Sequence, residues 1–545
     1  MEDGRVLDEE ELGWVLEGCS GSTPTEQATA AAPTLPASTP ALCVEATLQR
    51  SRTTAEAHEL AAVLSVVAPA IDSATRAPLR LVAVLDKSRS MRGDKLQLVQ
   101  QTMRFMLRHL GERDQLGLVE YAGKAKVLAP LTVCDADGCA KLDAALTRIR
   151  PDRGTNLSGG LLQGLALHRK GASDAADPDT SMQQVQFGDT SRRLSEEDAA
   201  ATWLALTPPS VEAPVNPADL EEAVVRSTFL FTDGLATEGI REKGDLCTAV
   251  RRALEELGDR RCTVSTFGFG TDHSASVLQG LAEIGGGIYS YVESEDQIGQ
   301  AFGEALGGLL STTHQNVQLS LKLTLGVTLA RVCTDFAYEC SEESGVQTVL
   351  VEAADLFAEE RRDILVVLKL PWASGADTDQ VLGQLSTRAF SVVMSRFETA
   401  GPVDLIVRRQ ATVHALESNP HVERHRGRHL ATEALTAARQ AARRGQLTEA
   451  RRLLSEAVST LRESSLGSAG DSTILGLIES LVDCQNDLRD EDQYRRKGEK
   501  KMACTTMSHK TQRSMNLGTT EMYGTQATRS MKLHFGKSIG PFTVG

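Results

Sequence analysis

The run Leu81-Val82-Ala83-Val84-Leu85-Asp86-Lys87-Ser88-Arg89-Ser90 ends an apolar strand in one carboxylate and two hydroxyls. In a D-x-S-x-S turn, alternate residues aim three oxygens at one point beyond the carboxyl end of the strand, where open α/β sheets place their ligands. Oxygen-only ligation suits a hard cation such as Mg²⁺, which favours an octahedron and keeps some of its waters.

Two further segments supply matching groups. Gly154-Thr155-Asn156-Leu157-Ser158-Gly159-Gly160 offers the Thr155 hydroxyl on a glycine-flanked loop at a helix start, and Phe229-Leu230-Phe231-Thr232-Asp233-Gly234 ends a second apolar strand in the Asp233 carboxylate. In this order the three pieces resemble the metal-ion-dependent adhesion site of von Willebrand factor type A domains. The resemblance implies that Ser88, Ser90 and Thr155 touch a Mg²⁺ ion, with Mn²⁺ as a substitute, and that Asp86 and Asp233 act directly or through water. An ion held mainly by neutral hydroxyls stays electron-poor, so the implied partner is a protein that offers an Asp or Glu to the metal. The sequence departs from the family at Arg89, where glycine is usual; a cation there either weakens the site or draws a carboxylate toward it.

The segment Thr263-Val264-Ser265-Thr266-Phe267-Gly268-Phe269-Gly270-Thr271-Asp272-His273, followed by Gly285-Gly286-Gly287-Ile288-Tyr289, is similar to the intracellular branch of the same superfamily. Plant, algal and protist members of that branch join the domain to a downstream β-rich and helical region, some with a RING or U-box. The likeness runs from Cys43 to about Leu461. The ligase members owe their activity to the RING or U-box, and this sequence has no Cys/His array of RING spacing, so recognition carries over and catalysis does not. The leading expectation is a divalent-cation-dependent protein-binding module or scaffold, not an enzyme. The alternatives are a substrate-recognition or scaffold component of a ubiquitin ligase system, and a structural fold whose metal site is inactive.

Other chemistry finds little support. His273 beside Ser274 suggests an acyl-transfer pair, but such a triad is a spatial arrangement, and loop capping or packing accounts for both residues. There is no G-x-x-x-x-G-K-[ST] loop, and Gly268-Phe269-Gly270 lacks the third glycine of a dinucleotide fingerprint.

The elements that must hold the metal-type turn are an alternation of strands and amphipathic helices over residues 79–311, which predicts a doubly wound, mostly parallel α/β sheet. Asp94 with Gln97 reads as a cap on its first helix, which explains Arg92-Gly93-Asp94 without invoking the integrin-binding tripeptide. A polar, Pro-bearing insertion interrupts the domain at 171–226. Residues 312–410 switch to period-two patterning and predict a β-sandwich, which strands within 43–78 complete, so that the α/β domain is inserted in or followed by the β domain. A helical region occupies 411–490, where the hairpin around Gly445-Gln446 resembles one tetratricopeptide-like unit and needs a neighbour to cover its face. A leader at 1–42 and a basic tail at 491–545 read as disordered, the tail because ten Lys or Arg from Arg495 onward face only two acidic residues among many Ser and Thr.

A net charge of −15 argues against a general nucleic-acid or anionic-membrane partner. Ten cysteines without any C-x-x-C read as reduced thiols. The first residues lack the basic-then-apolar order of a signal peptide, and the longest apolar run, Leu60 to Ile71, is too short to span a bilayer. A cytoplasmic location is the expectation.

Overall fold

The structure, a computed structural model, describes residues 41–54, 56–72, 75–169, 223–258, 261–294, 297–373, 377–410, 418–514 and 522–538. The expected leader lies outside the described residues up to residue 40, and the expected insertion up to residue 222.

The chain opens with β1 (Cys43–Leu48), β2 (Arg52–Thr54) and β3 (His58–Val67). It then builds an α/β unit from β4 (Leu79–Asp86), α1 (Asp94–His109), β5 (Gln115–Tyr121), β6 (Ala125–Val133), α2 (Ala136–Arg148) and α3 (Leu157–Leu167). The unit is completed by β7 (Val225–Thr232), α4 (Lys243–Glu255), β8 (Cys262–Phe269), α5 (Ala275–Ile284), β9 (Gly286–Val292) and α6 (Ile298–Leu310). The sheet order is β6-β5-β4-β7-β8-β9, and every pairing is parallel except β5 with β6. This is the doubly wound sheet that the alternation predicts. Residues of β4 and β7 are buried on both faces, because helices cover both sides of a parallel sheet, and this explains the unbroken apolar stretches Leu81–Leu85 and Phe229–Phe231, which do not alternate with polar residues.

Helix α3 packs unusually close to the sheet because its own surface is glycine. A Cβ on Gly160 would stand 2.6 Å from Tyr121 Cδ1, and one on Gly164 would stand 2.5 Å from Val84 Cγ2. Helix α1 differs from the expected capping box. Its N-cap is Gly93, at φ 86°, and no side chain caps this end. Asp94 is already inside the first turn, where its negative charge is favoured by the helix dipole.

The remaining strands are β10 (Thr312–Leu323), β11 (Thr328–Cys333), β12 (Tyr338–Glu343), β13 (Val346–Glu352), β14 (Leu356–Phe357), β15 (Arg361–Leu370), β16 (Thr378–Ser391) and β17 (Arg396–Gln410). They form two sheets, β1-β3-β15-β11 and β12-β13-β10-β16-β17-β2, with β14 pairing β10. One apolar core fills the space between them. Since β3 precedes β4 in sequence and pairs with β15, the α/β unit is inserted in the sandwich.

The helical region comprises α7 (Pro420–Arg443), α8 (Leu447–Glu463) and α9 (Ser472–Asn486), and α9 shares a core with the α7–α8 hairpin. Val422 of α7 also packs on Ala61, Val63 and Leu365, on the outer face of the four-stranded sheet.

The tail departs from expectation. Residues 499–511 form α10 and residues 526–538 form α11. Ala503, Cys504 and Met507 of α10 and Phe535 of α11 belong to the core of the α/β unit. Arg513 donates to the buried Glu360 carboxylate, which Arg362 also contacts at 2.7 Å. The composition misleads here because α10 is buried nearly all round by Thr, Ser and Lys as well as Met, so it has no apolar stripe to reveal it.

Among the described residues no helix is long and apolar enough to cross a membrane, and all described cysteines are free.

Candidate metal centre

Strands β4 and β7 are hydrogen-bonded neighbours at the middle of the sheet, so their carboxyl ends bring Asp86 and Asp233 to one place. Both carboxylates are fully buried. Asp86 Oδ1 accepts the Ser88 amide at 2.7 Å, and Oδ2 accepts the Thr232 hydroxyl at 2.7 Å. The Tyr121 hydroxyl lies 3.4 Å from the same Oδ2 and 3.2 Å from the Phe231 carbonyl. From Asp86 a chain of oxygens runs outward: Ser88 Oγ lies 3.0 Å from Ser90 Oγ, which donates to Asp233 Oδ1 at 2.7 Å.

The turn that carries these serines is fixed by its backbone. Lys87 donates to the Tyr121 carbonyl and accepts from the Asp152 amide, both at 2.8 Å, so the turn is sewn to β5 on one side and to the loop before α3 on the other. Thr155, also buried, sits at the end of that loop. Its amide donates to Thr237 Oγ1 at 2.9 Å, and its carbonyl accepts from the amides of Thr237 and Glu238. The Thr155 loop is thus tied to the segment that follows Asp233.

Four residues outside the expected ligand set shape the site. Thr232 and Tyr121 orient Asp86. Glu238 presses its carboxylate on the backbone at Gly123 and Gly154, so close that a Cβ on Gly154 would meet Oε1 at 2.3 Å. Gly154 also has φ 82°, a second reason for glycine there. Lys95, in the first turn of α1, places Nζ 2.5 Å from Asp233 Oδ2. The sequence analysis missed Lys95, because nothing local says where a long flexible side chain ends. Arg89, the departure noted in the sequence, points outward and is exposed, as is Arg92.

Burial pushes the Asp86 carboxyl up to about 6, and the nearby Asp233 charge adds to this, against the hydrogen bonds from Ser88 and Thr232. Two buried carboxylates therefore face each other across hydroxyls with one ammonium between them and solvent. Such a set of oxygens, short of positive charge, has the chemistry of a hard-cation site. The acyl-transfer pairing is not built: His273 is buried with Nε2 2.8 Å from the Tyr289 hydroxyl, while Ser274 Oγ faces Ser276 Oγ at 3.2 Å.

Comparison with known proteins agrees with this architecture. Two profiles described as von Willebrand factor type A domain match residues 81–178 and 194–291. The matched stretches supply β4–β6 and β7–β9, which are two halves of one sheet rather than two domains. The chain is 24% identical over 415 residues to the E3 ubiquitin-protein ligase WAVH1 of Arabidopsis thaliana, an alignment covering 75% of this chain and 49% of that one. It is also 24% identical over 414 residues to the E3 ubiquitin-protein ligase WAV3 of the same plant, covering 74% of this chain and 45% of that one. The chain thus spans about half the length of these curated relatives. A solved von Willebrand factor type A protein from Catenulispora acidiphila shares the fold at a TM-score of 0.56 and 15% identity, over 80% of this chain and 88% of that one. The sheet, the order of the motif on its strand ends and the matched profiles agree: the six-stranded α/β unit of this chain matches a von Willebrand factor type A domain.

Proposed function

We propose that this protein is a divalent-cation-dependent binding module in which Asp86, Ser88, Ser90, Thr155 and Asp233 hold Mg²⁺, with Mn²⁺ as a substitute, and the site captures an Asp or Glu of a protein partner. The observation that carries the reading is the pair of fully buried carboxylates on adjacent strand ends, joined through Ser88 and Ser90. When bound, the ion supplies a coordination position for an outside acid. The chain's own residues do the rest: Thr232 and the Ser88 amide orient Asp86, and the exposed Arg89 and Arg92 favour an acidic partner over a basic one. Leu235, 60% exposed next to the Asp233-Gly234 turn, offers an apolar contact beside the acid.

Calorimetric titration of the chain with Mg²⁺, run in parallel on Asp233→Asn, tests this. Heat in the native chain that is lost in the variant supports the assignment; no heat in either overturns it and leaves a structural domain with an inactive site.

A second reading places the module in a ubiquitin ligase system as a recognition or scaffold piece. The alignment of three quarters of the chain with proteins named as E3 ligases supports it. Co-purification with ubiquitin-conjugating machinery is its expected signature. Ligase activity from the chain alone would replace this reading with a catalytic one.

A further inference from the structure

A second cluster lies where the sandwich meets the helical region. His421 and His425 stand four residues apart in the first turns of α7, so both imidazoles leave the same helix face. Asp363 of β15 points at them. His421 Nε2 is 3.3 Å from Asp363 Oδ1, and His425 Nε2 is 3.3 Å from Asp363 Oδ2. The three ligand atoms lie within 4.8 Å of one another.

We infer that Asp363, His421 and His425 form a site for a divalent transition metal of the zinc class, which clips α7 to β15. Charge-assisted N–H···O bonds normally close to about 2.7–2.9 Å, shorter than these contacts. With metal–nitrogen and metal–oxygen bonds of about 2.0–2.1 Å, the edge of a tetrahedron is roughly 3.3 Å, the distance of each imidazole Nε2 from one Asp363 oxygen, Oδ1 for His421 and Oδ2 for His425. Two imidazoles and a carboxylate also suit zinc better than Mg²⁺, and three protein ligands leave a fourth position for water.

The carboxylate is oriented from behind by the Ser65 hydroxyl, which donates to Oδ1 at 2.5 Å.

Two guanidinium groups oppose the ion and set its affinity. Arg361 donates to Asp363 Oδ1 at 2.9 Å and to His421 Nε2 at 3.2 Å, so it occupies acceptors that a metal needs. It also holds Glu45 Oε2 at 2.9 Å, a partner to which it can withdraw at the half-exposed edge of the cluster. Arg428 donates to His425 Nδ1 at 3.2 Å, and this bond must open because an imidazole that ligates through Nε2 carries its proton on Nδ1. Arg428 keeps the His509 and Asp363 carbonyls in either state. The site is therefore tunable: removing Arg361 tightens it.

Co²⁺ is the probe, added to the full chain with excess Mg²⁺ present to fill the strand-end site. The expected result is the strong visible absorption of four-coordinate Co²⁺, abolished by one equivalent of Zn²⁺, absent in both His421→Gln and His425→Gln, and saturating at several-fold lower Co²⁺ in Arg361→Ala. A rise in thermal midpoint with Zn²⁺ in the native chain, but not in the two histidine variants, is a second expected readout that needs no colour. Absence of the band in the native chain, or a band and a Zn²⁺-induced rise that persist in both histidine variants, overturns the inference.

Discussion

Lys95 Nζ and Asp233 Oδ2 lie 2.5 Å apart, and this contact makes an ammonium from α1 the counter-ion of a carboxylate that is itself fully buried. The cation that faces the strand-end site is thus Lys95, not Arg89. The lysine side chain is 39% exposed, so the pair is partly screened and its net strength is about 1 kcal/mol or less.

Replacing Lys95 with Met removes this resident cation. Mg²⁺ affinity, read by calorimetry, is expected to rise by up to about fivefold, since 1.4 kcal/mol corresponds to tenfold. An unchanged or weaker affinity would show that Lys95 assists the ion instead of competing with it.

Helix α3 follows the Thr155 loop, and it rests on β4 through Gly164. Gly164→Ala places a methyl 2.5 Å from Val84 Cγ2, so the helix must shift outward and take the Thr155 loop with it. The expected cost is about 1–3 kcal/mol of stability, measured by denaturant unfolding, together with weaker Mg²⁺ binding. Gly244→Ala in α4, where nothing lies within 4 Å of the added carbon, is the control and should leave both quantities unchanged or slightly improved.

Three histidines are built in as neutral groups. Burial pushes His168, His273 and His509 each down to about 3, with nearby cations such as Arg226, Lys500 and Arg428 adding to the effect. The unfolded chain binds protons at these positions below about pH 6.5 while the folded chain does not, so stability is full above that pH and falls as pH drops toward 3. Each group contributes a loss of about 1 kcal/mol between pH 6.5 and 5.5. His168→Gln is expected to lose about that much less than the native chain over this interval, as followed by urea midpoints; equal losses would mean that His168 protonates in the fold.

Phe535, only 1% exposed, packs its ring 4.1 Å from that of Phe105 and against Gly299 of α6. Phe535→Ala should cost about 3–5 kcal/mol, visible as a large drop in the unfolding midpoint. A change below 1 kcal/mol would return α11 to the status of a loosely held tail.

The legible parts of this protein were those with a local signature. The apolar stretches Leu81–Leu85 of β4 and Phe229–Phe231 of β7, each followed within two residues by an aspartate, mark central parallel strands without any knowledge of their neighbours. The alternation of strands and helices then fixes the sheet type. Helix α10 had no such signature, because a helix buried nearly all round shows no periodic apolar stripe, and the Lys and Arg content of the tail that holds it imitated a solvated segment. The expected capping box on α1 failed by one residue: Gly93 can adopt a positive φ and takes the N-cap position.

By itself the sequence determined the list and order of the strand-end oxygens, since a strand's last residue and the turn after it are set by neighbours a few positions away. Tertiary structure alone decided that Lys95 meets Asp233 across 138 positions, that Arg513 reaches Glu360, and that Asp363 faces two imidazoles from a helix much later in the chain. Contacts of that range depend on how whole elements pack and where long side chains come to rest, and no local period encodes either.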